Sequence, residues 1–136
     1  DAAAARAGML AGLDYAHIVK VSDEELEFLT DGNDPAPLWR DGLRLIVVTH
    51  GAGGATLHTR GGAIHVPGFR VQAVDTTGAG DGFVAGLLVG LLEQGWDALP
   101  EIGRFANAVG AITTTGRGAI PSLPTRAQVE AFLREK

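Results

Sequence analysis

Apolar residues along the chain fall into short runs that are typical of β-strands. The segments Ala16–Val21 and Leu43–Thr49 are continuous and rich in β-branched residues, which predicts two strands, the second one buried in a parallel sheet. The segments Ala55–Thr59 and Gly62–Val66 alternate apolar and polar positions on either side of a glycine turn, which predicts a β-hairpin. A last short strand is predicted at Val71–Val74.

The stretches between these runs have the composition of helices. Ser22 and Asp23 can cap a helix that runs to about Thr30, because acidic residues occupy its first turn. The other predicted helices are Ala2–Leu13, Gly80–Gln94, Leu99–Thr114 and Thr125–Arg134, with a short helical turn at Pro37–Arg40. Strands that alternate with helices indicate an α/β layered fold, with a mostly parallel sheet flanked by helices.

Composition narrows the functional classes. With 136 residues, 46% of them hydrophobic, the chain can form one compact core. A net charge of −5 gives no broad positive field, so nucleic acid is not an expected partner. The absence of cysteine excludes disulfides, thiolate zinc sites and cysteine nucleophiles. The longest apolar stretch, Phe83–Leu92, is about half of a membrane span, so we expect a cytoplasmic protein without membrane contact.

The segment Val74–Leu92 combines a strand end, a glycine turn and an apolar helix. Gly78, Ala79 and Gly80 carry little or no side chain, so their amides can approach an anion closely. The free N–H groups at the start of the helix add a partial positive charge. Further along the helix a glycine recurs at every fourth position, which predicts close packing of the helix against the sheet; these residues are Gly82, Gly86 and Gly90.

Asp81 lies in the first turn of that helix. One interpretation is purely structural, since a first-turn aspartate stabilises the helix dipole by ~0.3–1 kcal/mol. The other interpretation is catalytic. A carboxylate beside an anion-binding turn can accept a proton from a hydroxyl that attacks a phosphorus atom. The glycines of the turn favour the second interpretation, because they lower stability and leave amides open.

Four segments of the chain resemble the PfkB, or ribokinase-like, family of sugar kinases. The sequence DTTGAGDGFVAGLL, Asp75–Leu88, is similar to the second signature of that family. VKVSDEELEFLT resembles its metal motif, VVTHGAGGA its nucleotide loop, and FANAVGAITTTGRGAIPSLP its adenine and cation segments. The residues of these four segments are most similar to those of bacterial fructokinases. The resemblance implies a ribokinase-like fold in which residues 1–136 form the C-terminal nucleotide-binding and catalytic part of one kinase domain, with the N-terminal half of the fold absent. The chain begins without methionine, as an excised piece would.

The resemblance also implies roles for individual residues. Asp81 would be the base for the acceptor hydroxyl, and the amides of Gly78, Ala79, Gly80 and Asp81 would bind the transferred phosphoryl group. Glu25 would act on Mg²⁺ through water, a contact that suits a strongly hydrated ion. The implied nucleotide-binding residues are Ser22, where the family usually has asparagine, Thr49, Gly51, Ala52, Gly54 and Asn107. The implied K⁺ loops contain Asp75, Thr77, Thr113, Gly116, Gly118 and Ser122.

Structural alternatives exist for several of these residues. Ser22 and Glu25 fit a helix cap with a solvated acidic face. The GAGG loop alone fits a hairpin turn, and it is not a Walker A loop. Asn107 fits a buried asparagine that is bonded to neighbouring backbone. The four histidines have no metal-pair spacing on a helix and are interpreted as structural or surface residues.

The function implied by the resemblance is ATP-dependent phosphorylation of a sugar hydroxyl. Fructose is the first candidate; ribose, 2-keto-3-deoxygluconate and a nucleoside are the alternatives. A second hypothesis is a nucleotide-binding module without turnover, because the sugar-binding half is absent and this fragment alone is expected to be inactive. An oxidoreductase with a dinucleotide-binding fold fits the alternation of strands and helices, but this sequence lacks the glycine fingerprint that such a fold requires. Partners are expected to be ATP, a sugar and a second copy that binds through the absent N-terminal lid.

Overall fold

The computed structural model describes all 136 residues, which divide into two compact units. The first unit contains Asp1–His50 and Thr56–Ile64, and the second contains Gly51–Ala55 and His65–Lys136. The helices are α1 (Ala2–Gly12), α2 (Asp23–Thr30), α3 (Ala79–Gln94), α4 (Leu99–Thr113), α5 (Ala119–Ser122) and α6 (Arg126–Glu135). The strands are β1 (Ile18–Ser22), β2 (Leu45–Thr49), β3 (Gly54–Thr59) and β4 (Gly62–Pro67).

The four strands form one mixed sheet in the order β1-β2-β3-β4. Strands β1 and β2 are parallel, with Ile18 opposite Leu45 and Ser22 opposite Thr49. Strands β3 and β4 are joined by Arg60 and Gly61 alone, a link that only antiparallel neighbours allow. The predicted α/β fold and hairpin are therefore confirmed.

The first unit is built around the β1-β2 pair. Strand β2 is buried along Leu45–Val48, as its unbroken apolar sequence predicts. Helix α2 contributes Leu26 and Leu29 to the same core, and the partly buried Leu10 of α1 packs against it. Arg6 on α1 donates to the Leu29 carbonyl near the end of α2. The core consists of Leu13, Val21, Leu26, Leu29, Leu38, Leu43, Ile46 and Val48.

The second unit centres on the packing of α3 against α4. The predicted contact of the glycine stripe with the sheet is wrong, because the stripe faces α4. A Cβ atom at Gly86 would lie 2.9 Å from the Ala106 Cα atom, and one at Gly90 would lie 2.8 Å from Ile102. A Cβ atom at Gly82 would likewise lie 2.8 Å from the Thr113 hydroxyl oxygen. Glycine is required here because two helix backbones approach each other.

The glycine stripe provides a stability test with an internal control. We expect Gly86→Ala to destabilise the protein by ~1–3 kcal/mol, because its methyl group would overlap the backbone of α4. Gly8 lies in α1, and a methyl group added there would have no atom within 4 Å, so Gly8→Ala is expected to stabilise by ~0.5–1 kcal/mol. Urea denaturation of both variants measures the difference. Equal effects at the two positions would contradict the packing described.

The predicted strand at Val71–Val74 is wrong. Val71–Val74 is irregular rather than a strand, because the amides of Val74 and Asp75 donate to the Thr114 carbonyl at 2.7 and 3.1 Å. Those amides are therefore used by the end of α4 and not by a neighbouring strand. The helical turn predicted at Pro37–Arg40 is present and lies at Ala36–Leu38, and the short helix α5 was not predicted. No helix has both the length and the apolar character that a membrane span requires.

Candidate active site

The glycine turn that precedes α3 is held in a conformation that favours glycine. Gly78 caps the helix with φ of 82°, in the left-handed region. The Ala79 amide donates to the Thr76 carbonyl at 3.2 Å, so one of the four predicted anion donors already has a partner. The amides of Gly80 and Asp81 belong to the first turn of α3, where N–H groups have no acceptor within the helix.

Asp81 is solvent exposed in the first turn of α3. Its neighbours along the helix, Gly82 and Phe83, are buried and anchor that turn. The carboxylate therefore projects from a fixed backbone into solvent, where a substrate hydroxyl could reach it.

Asp75 braces the turn from its N-terminal side. One carboxylate oxygen accepts from the Thr77 amide at 2.9 Å, and the other accepts from the Gly118 amide at 2.9 Å. The side-chain hydrogen bond from Thr77, followed by the amides of Gly118 and Thr77, lowers the pKa of Asp75 to about 2. The turn is thus tied to the loop between α4 and α5. The family resemblance predicts Asp75 and Gly118 near a cation, but the sequence contains no signal for this hydrogen bond.

The low pKa of Asp75 predicts a pH-dependent contribution to stability. A depressed carboxyl pKa stabilises the fold above the unfolded value of 3.8, and the contribution is lost as pH falls toward about 2. We therefore expect Asp75→Asn to be less stable than wild type at pH 7, with the difference shrinking between pH 4 and about 2. Thermal unfolding of both proteins across that range measures it. A difference in melting temperature that stayed constant with pH would contradict the role of the carboxylate.

The remaining residues of the predicted cation loops also lie in the second unit. Thr113 is fully buried and its hydroxyl donates to the Val109 carbonyl at 2.8 Å, which commits its proton to the helix. Ser122 has a buried hydroxyl oxygen without a hydrogen-bond partner. A Cβ at Gly116 would lie 2.5 Å from that oxygen, so the loop closes tightly on it. The Ser122 oxygen is the one unsatisfied buried side-chain group of the molecule.

The predicted nucleotide loop packs against the end of β4. Gly54 has φ of 99°, and the Val66 carbonyl occupies the space that a side chain would need. Asn107 on α4 is 8% exposed and donates from Nδ2 to the carbonyls of Val66 and Pro67, at 3.0 and 3.1 Å. The side-chain amide of Asn107 thus fixes the segment against which the loop packs, as the structural alternative for this residue supposed.

In the first unit, Ser22 and Glu25 form a complete capping box. The Ser22 hydroxyl accepts from the Glu25 amide at 3.1 Å, and the Glu25 carboxylate accepts from the Ser22 amide at 2.7 Å. The same carboxylate lies 3.8 Å from the Lys20 ammonium group and its side chain is 48% exposed. Thr49, opposite Ser22 in the sheet register, donates to the Val21 carbonyl at 3.4 Å.

Sequence reasoning missed a polar chain in the first unit. His50 Nδ1 lies 2.6 Å from an Asp23 carboxylate oxygen, and Nε2 lies 2.8 Å from the Thr56 hydroxyl. These residues line an open pocket of about 640 Å³ together with His58. Burial, followed by the nearby charge of His50, lowers the pKa of His58. The position of His50, directly between β2 and the glycine loop, was the one sequence feature that could have indicated these contacts.

Comparisons with known proteins give consistent matches. A family model described as pfkB family carbohydrate kinase matches residues 1–126. Fructokinase-2 of Oryza sativa subsp. japonica is 46% identical over 140 residues, which cover 96% of this chain and 42% of that protein. The chain therefore spans less than half the length of this relative.

Solved structures agree with the sequence matches. Aminoimidazole riboside kinase from Salmonella enterica, complexed with aminoimidazole riboside and an ATP analog, superimposes with a TM-score of 0.86 at 35% identity, covering 98% of this chain and 47% of that one. Fructokinase from Vibrio cholerae O395, in a form with bound fructose, ADP and calcium ion, gives a TM-score of 0.85 at 38% identity, covering 94% of this chain and 44% of that one.

Proposed function

Because the chain belongs to the pfkB family of carbohydrate kinases, we propose that residues 1–136 are the C-terminal nucleotide-binding and catalytic part of one kinase domain. The complete protein would transfer the terminal phosphoryl group of ATP to a sugar hydroxyl. The observation that carries this proposal is the exposed carboxylate of Asp81 beside the left-handed glycine turn that starts α3.

The proposed reaction needs few groups from this turn. Asp81 accepts the proton of the sugar hydroxyl while the hydroxyl oxygen attacks the terminal phosphorus atom of ATP, and ADP leaves. Phosphoryl transfer has a loose transition state, so catalysis consists mainly of positioning and of neutralising spread charge. The amides of Gly78, Gly80 and Asp81, with the positive end of the α3 dipole, would stabilise that charge. The Ala79 amide contributes less, since Thr76 accepts from it.

The family resemblance suggests the nucleotide contacts, and the exposure and hydrogen bonds of the residues concerned support some of them. The glycine loop exposes Gly51 and Ala52, so their backbone is accessible to a ligand. Asn107 would lie beside the adenine. Because its Nδ2 donates to the carbonyls of Val66 and Pro67, we propose that it acts there by holding the Val66–Pro67 segment in place. Ser22, Thr49 and Gly54 complete the proposed nucleotide-binding set.

We propose sites for two cations in this chain. The half-exposed carboxylate of Glu25 is accessible to water, as a water-mediated contact to Mg²⁺ requires. Bound Mg²⁺ would neutralise phosphate charge. For K⁺, the buried unpaired oxygen of Ser122 and the carboxylate of Asp75 are oxygen donors of the right kind in the second unit. Backbone oxygens of Thr77, Thr113, Gly116 and Gly118 would complete that set.

Fructose is the proposed acceptor. Relatives named fructokinase occur among plant proteins and among bacterial structures, and one of the latter binds fructose. The decisive assay measures ADP release by the full-length protein with ATP and a panel of fructose, ribose, 2-keto-3-deoxygluconate and nucleosides. Turnover with fructose in preference to the others supports the proposal. Preference for another sugar would correct the substrate, and ATP turnover with none of them would refute kinase activity. We place this activity in the cytoplasm, in a dimer formed through the N-terminal half of the family fold.

The alternative of a nucleotide-binding module without turnover is not favoured by the comparisons, because the relatives they find are named as sugar kinases. It would apply only to residues 1–136 taken alone, which match 42% of the rice relative. An anion-binding turn without an acceptor pocket has no hydroxyl to position. Calorimetric titration of this polypeptide with ATP, beside the sugar assay, separates the two: binding without turnover identifies a module.

A further inference from the structure

The chain of contacts Asp23–His50–Thr56 joins three parts of the first unit that are distant in sequence. Asp23 is the first residue of α2, His50 follows the last residue of β2, and Thr56 lies in β3. At 2.6 and 2.8 Å, both contacts of the imidazole ring are short. Because each ring nitrogen has a partner, the orientation of the ring is fixed.

This chain flanks residues to which the proposed function assigns the nucleotide and Mg²⁺. Asp23 lies between Ser22 and Glu25, and His50 is adjacent to Thr49. Ser22 and Thr49 are themselves opposite each other in the parallel register. The imidazole therefore ties the start of α2 to the end of β2 on the C-terminal side of this register pair.

We propose that His50, held by Asp23 and Thr56, is a positioning residue that sets the spacing between Ser22 and Thr49 for nucleotide binding. The inference rests on the proposed function, since it assumes that Ser22 and Thr49 contact ATP. His50 acts through its neighbours and touches no substrate in this role. The His50 side chain is 29% exposed and that of Asp23 is 60% exposed, so the contact with Thr56 is the more shielded of the two.

The kinetic test uses the full-length protein. Replacing His50 by leucine removes both contacts at similar volume. We expect the KM for ATP to rise roughly 10-fold, a fraction of the ~10²-fold cost of a 1 Å misplacement, with kcat and the KM for sugar little changed. The matched control is His58→Gln in the same pocket, which alters a histidine outside the chain of contacts and is expected to leave the KM for ATP unchanged.

Variants at the two ends test whether the contacts act as one chain. Asp23→Ala removes an acceptor and should raise the KM for ATP, whereas Asp23→Asn keeps an acceptor oxygen and should restore most of the affinity. Thr56→Val removes the other end. If both act through His50, the double variant Asp23→Ala/Thr56→Val will be less impaired than the product of the single effects.

A second measurement is independent of ATP. Hydrogen exchange of the Glu25 amide, which donates to Ser22, should be faster in His50→Leu than in wild type and unchanged in His58→Gln. An unaltered KM for ATP and unaltered exchange in His50→Leu, or equal changes in the His58 control, would overturn the inference. If the wild-type protein bound no ATP, the proposed function would fall, and the exchange rates alone would decide the coupling.

Discussion

Replacing Asp81 with asparagine is expected to lower kcat of the full-length protein by at least ~10²-fold, because the amide cannot accept the hydroxyl proton. The KM for ATP should change little, since the variant keeps the size of the side chain and the backbone of the turn. The carboxylate is exposed in the first turn of α3, so its removal should cost only the dipole contribution of ~0.3–1 kcal/mol in stability. Steady-state kinetics and chemical denaturation together separate the two effects.

Asp97→Asn is the matched control for this prediction. Asp97 is an exposed aspartate in the short helical turn Trp96–Ala98, at the opposite end of α3 in the same unit. Its replacement changes net charge equally but should leave kcat unchanged. An Asp81→Asn enzyme with kcat within a few-fold of wild type would remove Asp81 from the base role and leave the dipole interpretation.

The second large effect is expected for Gly78→Ala. The new methyl group would lie 2.6 Å from the Ala119 Cβ atom, and φ of 82° strains any residue with a side chain. The turn must therefore shift, which displaces the amides that would face the phosphoryl group. Loss of one such donor costs ~10²–10³-fold in kcat, and we expect a loss in that range.

Strain and displacement are separated by two further variants. Gly95 ends α3 with φ of 76°, and a methyl group added there would meet no atom within 4 Å, so Gly95→Ala reports strain alone and should retain full kcat. Gly78→Ala/Ala119→Gly removes the nearest contact while keeping the strain, and should recover part of the lost activity. Equal losses of kcat in Gly78→Ala and Gly95→Ala would show that destabilisation, rather than the position of the amides, explains the effect.

Local patterns predicted most of the fold. The strands β1 and β2, the hairpin and the Ser22 cap depend on neighbours within a few residues, so their sequences contain the signal. Val71–Val74 has strand-like composition, but Thr114 supplies its acceptor from the end of a distant helix. The prediction that the glycine stripe packs against the sheet was wrong for a similar reason, because sequence periodicity identifies one face of a helix but not the element that packs on it.

The resemblance of Asp75–Leu88 to sugar kinases is confirmed by the family model, and the ribokinase-like fold by the superpositions. The individual site residues stay predictions. Sequence reasoning located Asp81 because a motif marks it. It did not identify the bond between Asp75 and Gly118, or the contact of His50 with Asp23, since these join residues 43 and 27 positions apart along the chain. Such pairings depend on how loops meet after folding.

The close approach of α3 to α4 limits which substitutions homologous sequences can accumulate along the glycine stripe. A methyl group at position 86 can be accommodated only if the opposing backbone recedes, because the Ala106 Cα atom is its nearest neighbour, whereas at position 90 the nearest atoms belong to the Ile102 side chain. Lineages of this domain should therefore keep glycine at position 86 and show paired substitutions between positions 90 and 102, rather than independent drift.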